Sequence, residues 1–99
     1  MRIVAVTACP TGVAHTYMAA ERLEKAARRL GHLIKVETQG SMGIENELTV
    51  EEIERADVVI FAAEVAVRNR ERFEGRRIVE VGIQAAIKDP DRILAGLGG

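Results

Sequence analysis

Short runs of consecutive apolar residues, separated by segments of helical period, constrain the fold of this 99-residue chain most strongly. Residues 3–6 (Ile-Val-Ala-Val) and 57–63 (Asp-Val-Val-Ile-Phe-Ala-Ala) have the pattern of strands that are buried on both faces. Such strands, alternating with helices, are typical of a parallel sheet with right-handed crossovers. The pattern therefore predicts an α/β fold.

The remaining segments complete this prediction. Residues 14–30 repeat apolar side chains at helical spacing, which predicts a helix that stops at Gly31. Residues 33–38 are predicted to form a second strand before a glycine-rich loop at 39–43. A capping box at 49–52 predicts a helix that begins there and ends at about residue 56. Residues 77–81 are predicted to form a fourth strand, and residues 83–88 a helix. Asp89 and Pro90 suit the cap and first position of a last helix. We predict a single domain over residues 1–99 with three layers, in which a four-stranded parallel sheet of order 2-1-3-4 has helices on both faces.

Charge and cysteine content exclude several classes of protein. The chain has 14 Lys and Arg against 15 Asp and Glu, so its net charge of −1 disfavours a nucleic-acid or anionic-membrane role. Cys9 is the single cysteine, which excludes an intrachain disulfide and a multi-cysteine metal site and fits the reducing cytosol. Pro10 and Gly12 interrupt the apolar N-terminal stretch, so we expect neither a signal peptide nor a membrane span there.

Residues 9–16 (Cys-Pro-Thr-Gly-Val-Ala-His-Thr), between the first strand and the first helix, carry the most specific chemistry. Ligands of open α/β sheets bind beyond the carboxyl ends of the strands, where this loop is expected. N–H groups at the helix start and the helix dipole favour an anion such as phosphate, and they favour the thiolate of Cys9 as a nucleophile. Gly12 permits a tight turn, and two threonines add hydroxyl donors. The predicted phosphate cradle comprises Pro10, Thr11, Gly12, Val13, Ala14, His15 and Thr16.

Other interpretations of this loop stay open. A lone cysteine is commonly a small buried hydrophobic residue. Nucleotide-binding glycine patterns are absent, and Gly12 stands where a redox Cys-x-x-Cys motif has its second cysteine. A Cys-dependent phosphatase has Cys, five residues, Arg and then Ser or Thr, and here His15 replaces that arginine before Thr16. Low-molecular-weight tyrosine phosphatases also use an Asp-Pro acid, but Asp89-Pro90 is explained more simply as a helix cap. A low-molecular-weight Cys-dependent phosphatase is therefore the alternative function.

Most of the chain also carries a resemblance to a known family. The matching segments are residues 4–16 followed by 18–21, residues 36–43 followed by 45–49, and residues 72–75. They resemble the fructose-family enzyme IIB domain of the bacterial phosphoenolpyruvate:sugar phosphotransferase system. The motif Cys-Pro-Thr-Gly-x-Ala-His-Thr at 9–16 is specific within that system.

The resemblance implies a phosphocarrier. Cys9 would accept a phosphoryl group from a phosphohistidine on enzyme IIA and pass it to fructose, or a related sugar, bound by the membrane permease enzyme IIC. It implies a protein-phosphohistidine–sugar phosphotransferase without metal or cofactor, located in the cytoplasm at the inner face of the membrane through enzyme IIC. Direct membrane insertion and nucleic-acid binding are not expected. Our own hypothesis is that a clamp weaker than arginine suits a carrier, because a carrier must give its phosphate away.

A few residues have roles that the sequence leaves open. His15 is explained equally well by orienting phosphate and by capping a turn. Residues 39–43 either border the cysteine loop or only connect two elements. Met18 is expected in the core, because it lies on the apolar stripe of the first helix. The basic stretch is interpreted as a solvated surface connection, with a partner-docking patch as the alternative; it contains Arg68, Arg70, Arg72, Arg76 and Arg77, diluted by Glu71 and Glu74.

Overall fold

Strands and helices alternate along the chain, as the apolar pattern predicts. The computed structural model describes residues 1–10 and 13–97, with only the backbone of Val13. The strands are β1 (Arg2–Ala8), β2 (Leu33–Gly40), β3 (Gly43–Glu45), β4 (Val58–Ala63) and β5 (Ile78–Val81). The helices are α1 (Val13–Arg29), α2 (Val50–Arg55), α3 (Ile83–Lys88) and α4 (Pro90–Ala95), with a 3-10 turn at Arg70–Phe73.

The strands form one sheet in the order β3-β2-β1-β4-β5. β1 is parallel to β2 and to β4, and β4 is parallel to β5, so the predicted order of the four parallel strands is confirmed. The prediction of a four-stranded, purely parallel sheet is wrong, because β3 adds a fifth strand antiparallel to β2. Gly40 and Gly43 pair across a two-residue turn, and Gly43 has φ +93°, a backbone conformation that L side chains rarely adopt. The segment 39–43, predicted as a loop, therefore contains the end of β2, a turn at residues 41–42 and the start of β3.

Apolar residues pack against both faces of the sheet. Ile3 and Ala5 of β1 face a core that includes α1, α3 and α4. Val4 and Val6, which alternate with them, face a second cluster with Phe73 of the 3-10 turn and Ile53 of α2. The prediction of helices on both faces is therefore confirmed. Strand β1 is covered on both sides, which explains its continuous apolar run.

The helix ends follow the signals in the sequence. α1 ends in a Schellman motif: Gly31, with φ +81°, donates its N–H to Arg28, and His32 donates to the carbonyl of Ala27. Thr49 and Glu52 form the predicted capping box of α2. Asp89 caps α4 through the N–H of Arg92, with Pro90 in the first turn.

Two observations concern the surface of α1 and the helices in general. Met18, expected in the core, is 42% exposed, because Ala19, Leu23 and Ala26 form the buried stripe of α1. Over residues 1–10 and 13–97, no helix is both long enough and apolar enough to cross a membrane.

Candidate functional site

Cys9 lies directly after β1, at the carboxyl end of the central strand of the sheet. Cys9 is buried, with 5% of its surface exposed to solvent. The Cys9 N–H donates to the carbonyl of Gln39 at 3.3 Å, which continues the pairing of β1 with β2. On the other side, the N–H of Glu64 donates to the carbonyl of Ala8 at 3.0 Å. The backbone at Cys9 is therefore held by the ends of both neighbouring strands.

A cavity of about 440 Å³ opens at this end of the sheet and includes Cys9 in its lining. One wall is the end of β2 and its turn, and another is the loop that follows β4. The segment 39–43, whose role the sequence left open, therefore borders the cysteine. Among the described residues, the lining contains no carboxylate and one basic side chain. It comprises Ala8, Cys9, Pro10, Gln39, Gly40, Ser41, Val65, Ala66 and Arg68.

Part of the predicted phosphate cradle lies outside the described residues, namely Thr11 and Gly12. The backbone of Val13 begins α1, four positions after Cys9. The order of strand, cysteine loop and helix that motivated the cradle is therefore confirmed. The N-terminus of this 17-residue helix, which carries a partial positive charge, therefore follows Cys9 closely in the chain.

The other cradle residues differ in their exposure. Pro10 is exposed and lines the cavity, and Ala14 and His15 are exposed on the first turn of α1. Thr16 is only 1% exposed, and its carbonyl accepts a hydrogen bond from the hydroxyl of Thr7 at 3.1 Å. A role in binding phosphate stays a prediction for each of them.

A buried ion pair lies behind the β2 wall of the cavity. Glu37 is 0% exposed, and its carboxylate accepts from Arg72 Nη1 at 2.9 Å and Nη2 at 3.0 Å, from the Leu48 N–H at 2.9 Å and from Gln39 Nε2 at 2.7 Å. Burial alone would raise the pKa of Glu37, but these hydrogen bonds and the Arg72 charge hold it below its usual range. The interpretation of the basic stretch as solvated is therefore wrong for Arg72.

Gln39 connects this ion pair to the loop beside Cys9. Its Oε1 accepts from the N–H of Arg68 at 2.7 Å, and its Nε2 donates to the Arg68 carbonyl at 3.2 Å as well as to Glu37. Its own carbonyl accepts from Cys9. One residue thus contacts two walls of the cavity. Sequence reasoning missed this role, because nothing near Gln39 in the chain identifies a partner 29 positions away.

The hairpin is also tied to α1 on its other flank. The hydroxyl of Tyr17 donates a hydrogen bond to Oε1 of Glu45 in β3. This bond, with a little burial and the charge of Glu45, raises the pKa of Tyr17. The sequence contained no sign of it, since the strand that carries Glu45 was not predicted.

Comparisons with known proteins show similarity over most of the chain. The model of a family described as "PTS system, Lactose/Cellobiose specific IIB subunit" matches residues 4–96. The chain is 55% identical over 94 residues to the PTS system fructose-like EIIB component 2 of Escherichia coli (strain K12), covering 95% of this chain and 89% of that protein. It is 50% identical over 93 residues to the PTS system fructose-specific EIIABC component of Bacillus subtilis (strain 168), covering 94% of this chain and 14% of that protein.

Solved structures also resemble the chain, at high and at low sequence identity. A domain of the fructose-specific IIABC component from Borrelia burgdorferi superposes with a TM-score of 0.91 at 52% identity, covering 95% of this chain and 89% of that one. The lactose-specific IIB domain from Streptococcus pneumoniae has a TM-score of 0.53 at 15% identity, covering 98% and 93%, and so shares the fold alone. The chain therefore belongs to the IIB family of the phosphotransferase system, in its fructose-like branch.

Proposed function

We propose that Cys9 is the phosphoryl carrier of this IIB component. It accepts the group from a phosphohistidine on enzyme IIA and passes it to fructose, or a related sugar, bound by enzyme IIC. The observation that carries the proposal is the position of Cys9, at the carboxyl end of the central strand and in the lining of a cavity. Ligands of open α/β sheets bind at this end. The phosphotransferase activity of the IIB family indicates that the reaction is a phosphoryl transfer.

The proposed transfer is an in-line exchange at phosphorus. The Cys9 thiolate forms the P–S bond while the P–N bond of the phosphohistidine breaks, and the electron pair of that bond returns to the ring nitrogen. A proton already held on the other ring nitrogen makes the leaving group a neutral imidazole. In the second step, a sugar hydroxyl oxygen forms a P–O bond and the pair of the P–S bond returns to Cys9 as thiolate. The hydroxyl proton passes to a base on enzyme IIC. Both steps depend on positioning and on neutralising the phosphoryl oxygens.

The surroundings of Cys9 favour transfer over hydrolysis. Water needs a general base to attack a phosphocysteine efficiently, and the described lining of the cavity has no carboxylate. Nearby acids are engaged elsewhere: Glu37 with Arg72, Glu64 with the N–H of Ile83, and Glu45 with Tyr17. A phosphocysteine at this site is therefore expected to persist until an acceptor arrives. The phosphatase alternative is not favoured.

The partners and the location are part of the same proposal. Relatives of the chain include components named EIIBC and EIIABC, in which the IIB part is joined to C or to A and C parts. This supports enzyme IIA as donor and enzyme IIC as the membrane partner. We place the chain in the cytoplasm, at the inner face of the membrane through enzyme IIC. Within the cradle at 10–16, N–H groups at the start of α1 would bind the phosphoryl oxygens.

A labelling experiment tests the carrier. Enzyme IIA carrying labelled phosphohistidine is mixed with the chain, without enzyme IIC or sugar, and the label on Cys9 is followed over time. We expect rapid labelling that persists, and negligible turnover of aryl phosphates. Cys9→Ser is expected to accept no label, because the alkoxide of serine is inaccessible near neutral pH. Rapid hydrolysis of aryl phosphates by the unmodified chain, lost in Cys9→Ser, would overturn the carrier proposal and favour the phosphatase alternative.

A further inference from the structure

Arg68 differs from the other arginines of the basic stretch. Within the part of the chain that the structure describes, no hydrogen bond or ion pair engages its guanidinium. The other four are each held by a protein acceptor: Arg70 by Glu80, Arg72 by Glu37, Arg76 by the carbonyl of Glu54 and Arg77 by the carbonyl of Leu97. Arg68 therefore keeps its five N–H donors for a ligand.

The position of Arg68 indicates which ligand. It lines the same cavity as Cys9, and it is the basic residue of the described lining. Its backbone is fixed on both sides by the amide of Gln39, at 2.7 Å to the N–H and 3.2 Å to the carbonyl. The Gln39 amide is in turn oriented by the buried carboxylate of Glu37. Polar contacts that begin at the buried Glu37 thus fix the backbone of Arg68 at the cavity and leave its charge unpaired among the described residues.

We propose that Arg68 binds the phosphoryl group during its transfer to Cys9. The inference rests on the proposed function and adds to it the residue that neutralises the phosphoryl oxygens. A guanidinium suits this role because its planar, paired N–H groups match two oxygens of a phosphate. In the transition state negative charge is spread over the three equatorial oxygens of the transferring group while the thiolate approaches, so a nearby cation lowers the barrier.

The proposal replaces the hypothesis that a clamp weaker than arginine suits the carrier, since the missing arginine is absent only from the cysteine loop. A Cys-dependent phosphatase carries its arginine in the loop of the nucleophile, where this chain has His15. Here the arginine comes from the loop that follows β4, the neighbour of β1 in the sheet. The two loops meet because the carboxyl ends of parallel strands share one edge of the sheet.

Transfer kinetics with matched variants test the role of Arg68. The variants are Arg68→Gln, Arg68→Lys and the control Arg55→Gln, which removes another exposed arginine at the opposite end of the sheet. Phosphorylated enzyme IIA is the donor, and the transfer rate is measured against donor concentration. We expect Arg68→Gln to lower the maximal rate about 100-fold, Arg68→Lys to restore part of it, and Arg55→Gln to match the original chain. The fold should survive, because Arg68 is held through its backbone.

A second readout follows the phosphate site without catalysis. Inorganic phosphate is added while Cys9 is alkylated with iodoacetamide. We expect phosphate to slow alkylation of the original chain and of Arg55→Gln, and to have a much weaker effect on Arg68→Gln.

The outcomes separate the two proposals. If the original chain accepts no phosphoryl group from enzyme IIA, the proposed function fails. The role of Arg68 is overturned if the original chain accepts the group and Arg68→Gln transfers it at the same maximal rate. This includes the case in which Arg68→Gln loses only affinity for the donor. Equal losses in Arg68→Gln and Arg55→Gln would also overturn it, since they would indicate a general effect of charge on docking.

Discussion

Replacing Arg72 by methionine tests the buried network behind the cavity. The substitution removes the guanidinium that donates two hydrogen bonds to Glu37 and lies 4.8 Å from the centre of the Phe73 ring. Glu37, which is fully buried, keeps the donors from Leu48 and Gln39 but loses its countercharge. In the original chain, the hydrogen bonds and the Arg72 charge outweigh the effect of burial on the pKa of Glu37. Without Arg72, burial is expected to dominate and to raise this pKa above its usual range.

The expected cost is large for a chain of this size. Removing one partner of a buried ion pair costs about 3–5 kcal/mol, and we take about 3 because the Arg72 side chain keeps some contact with solvent. At about 4–8 °C per kcal/mol for a small domain, Tm falls by roughly 10–25 °C. The free energy of unfolding is measured by urea titration and thermal melts of the original chain and the variant.

The pH dependence has a definite sign. In the original chain the lowered pKa of Glu37 contributes stability above its ordinary value of 4.5, and this is lost as the pH falls through the lowered pKa. In the variant, protonation of Glu37 relieves an unpaired buried charge. The difference in stability between the two chains should therefore shrink from about pH 7 to about pH 4.

A matched control separates burial from pairing. Arg70 also pairs with a glutamate, Glu80, and lies 4.9 Å from the centre of an aromatic ring, Phe61, but its ion pair is exposed. Arg70→Met is expected to change stability only slightly, because solvent and salt screen exposed pairs. Equal effects of Arg70→Met and Arg72→Met, or a loss for Arg72→Met that is independent of pH, would refute the reasoning about the buried charge.

Three further predictions concern single contacts. Tyr17 is the only tyrosine, so an absorbance titration reports its pKa directly; Glu45→Gln should lower that pKa, and an unchanged value would contradict the hydrogen bond. Thr49→Ala should cost about 1 kcal/mol in thermal melts, while Thr49→Ser, which keeps the oxygen that accepts from Glu52, should cost much less. Gly31→Ala should cost about 1 kcal/mol from its positive φ alone, since no atom crowds the new Cβ; an unchanged Tm would argue against the Schellman motif.

The parts of the fold that sequence predicted correctly have local causes. The capping box at Thr49, the positive φ at Gly31 and the Asp89-Pro90 cap each act within a few residues. The parallel order of four strands follows from apolar runs and right-handed crossovers. The short strand β3 has no such signal: its three residues are only partly buried or exposed, and they become a strand by pairing with β2. Local pattern cannot reveal a strand whose main support is its partner.

The candidate site likewise has a part that the sequence predicted and a part that it did not. The cysteine loop was predicted because a strand, a glycine and a helix start follow one another in the sequence. The contacts of Glu37 and Gln39 with the arginine-rich segment were not, because they join positions 29 and 35 apart. In sequence, Arg72 and Arg68 look alike. Only the fold buries the first against a carboxylate and leaves the second at the cavity.

The hairpin that the sequence did not predict gives the cavity much of its definition. Gln39 fastens one flank of it to the loop after β4, and the contact between Tyr17 and Glu45 fastens the other flank to α1. The end of β2 and the turn that follows it supply Gly40 and Ser41 to the lining. Cys9, this turn and the loop with Arg68 come from separate elements, so the cavity exists only in the folded chain. In the carrier that we propose, the charge that the cysteine loop lacks would come from the neighbouring loop, because Gln39 of the hairpin holds the backbone of Arg68 at the cavity that Cys9 also lines.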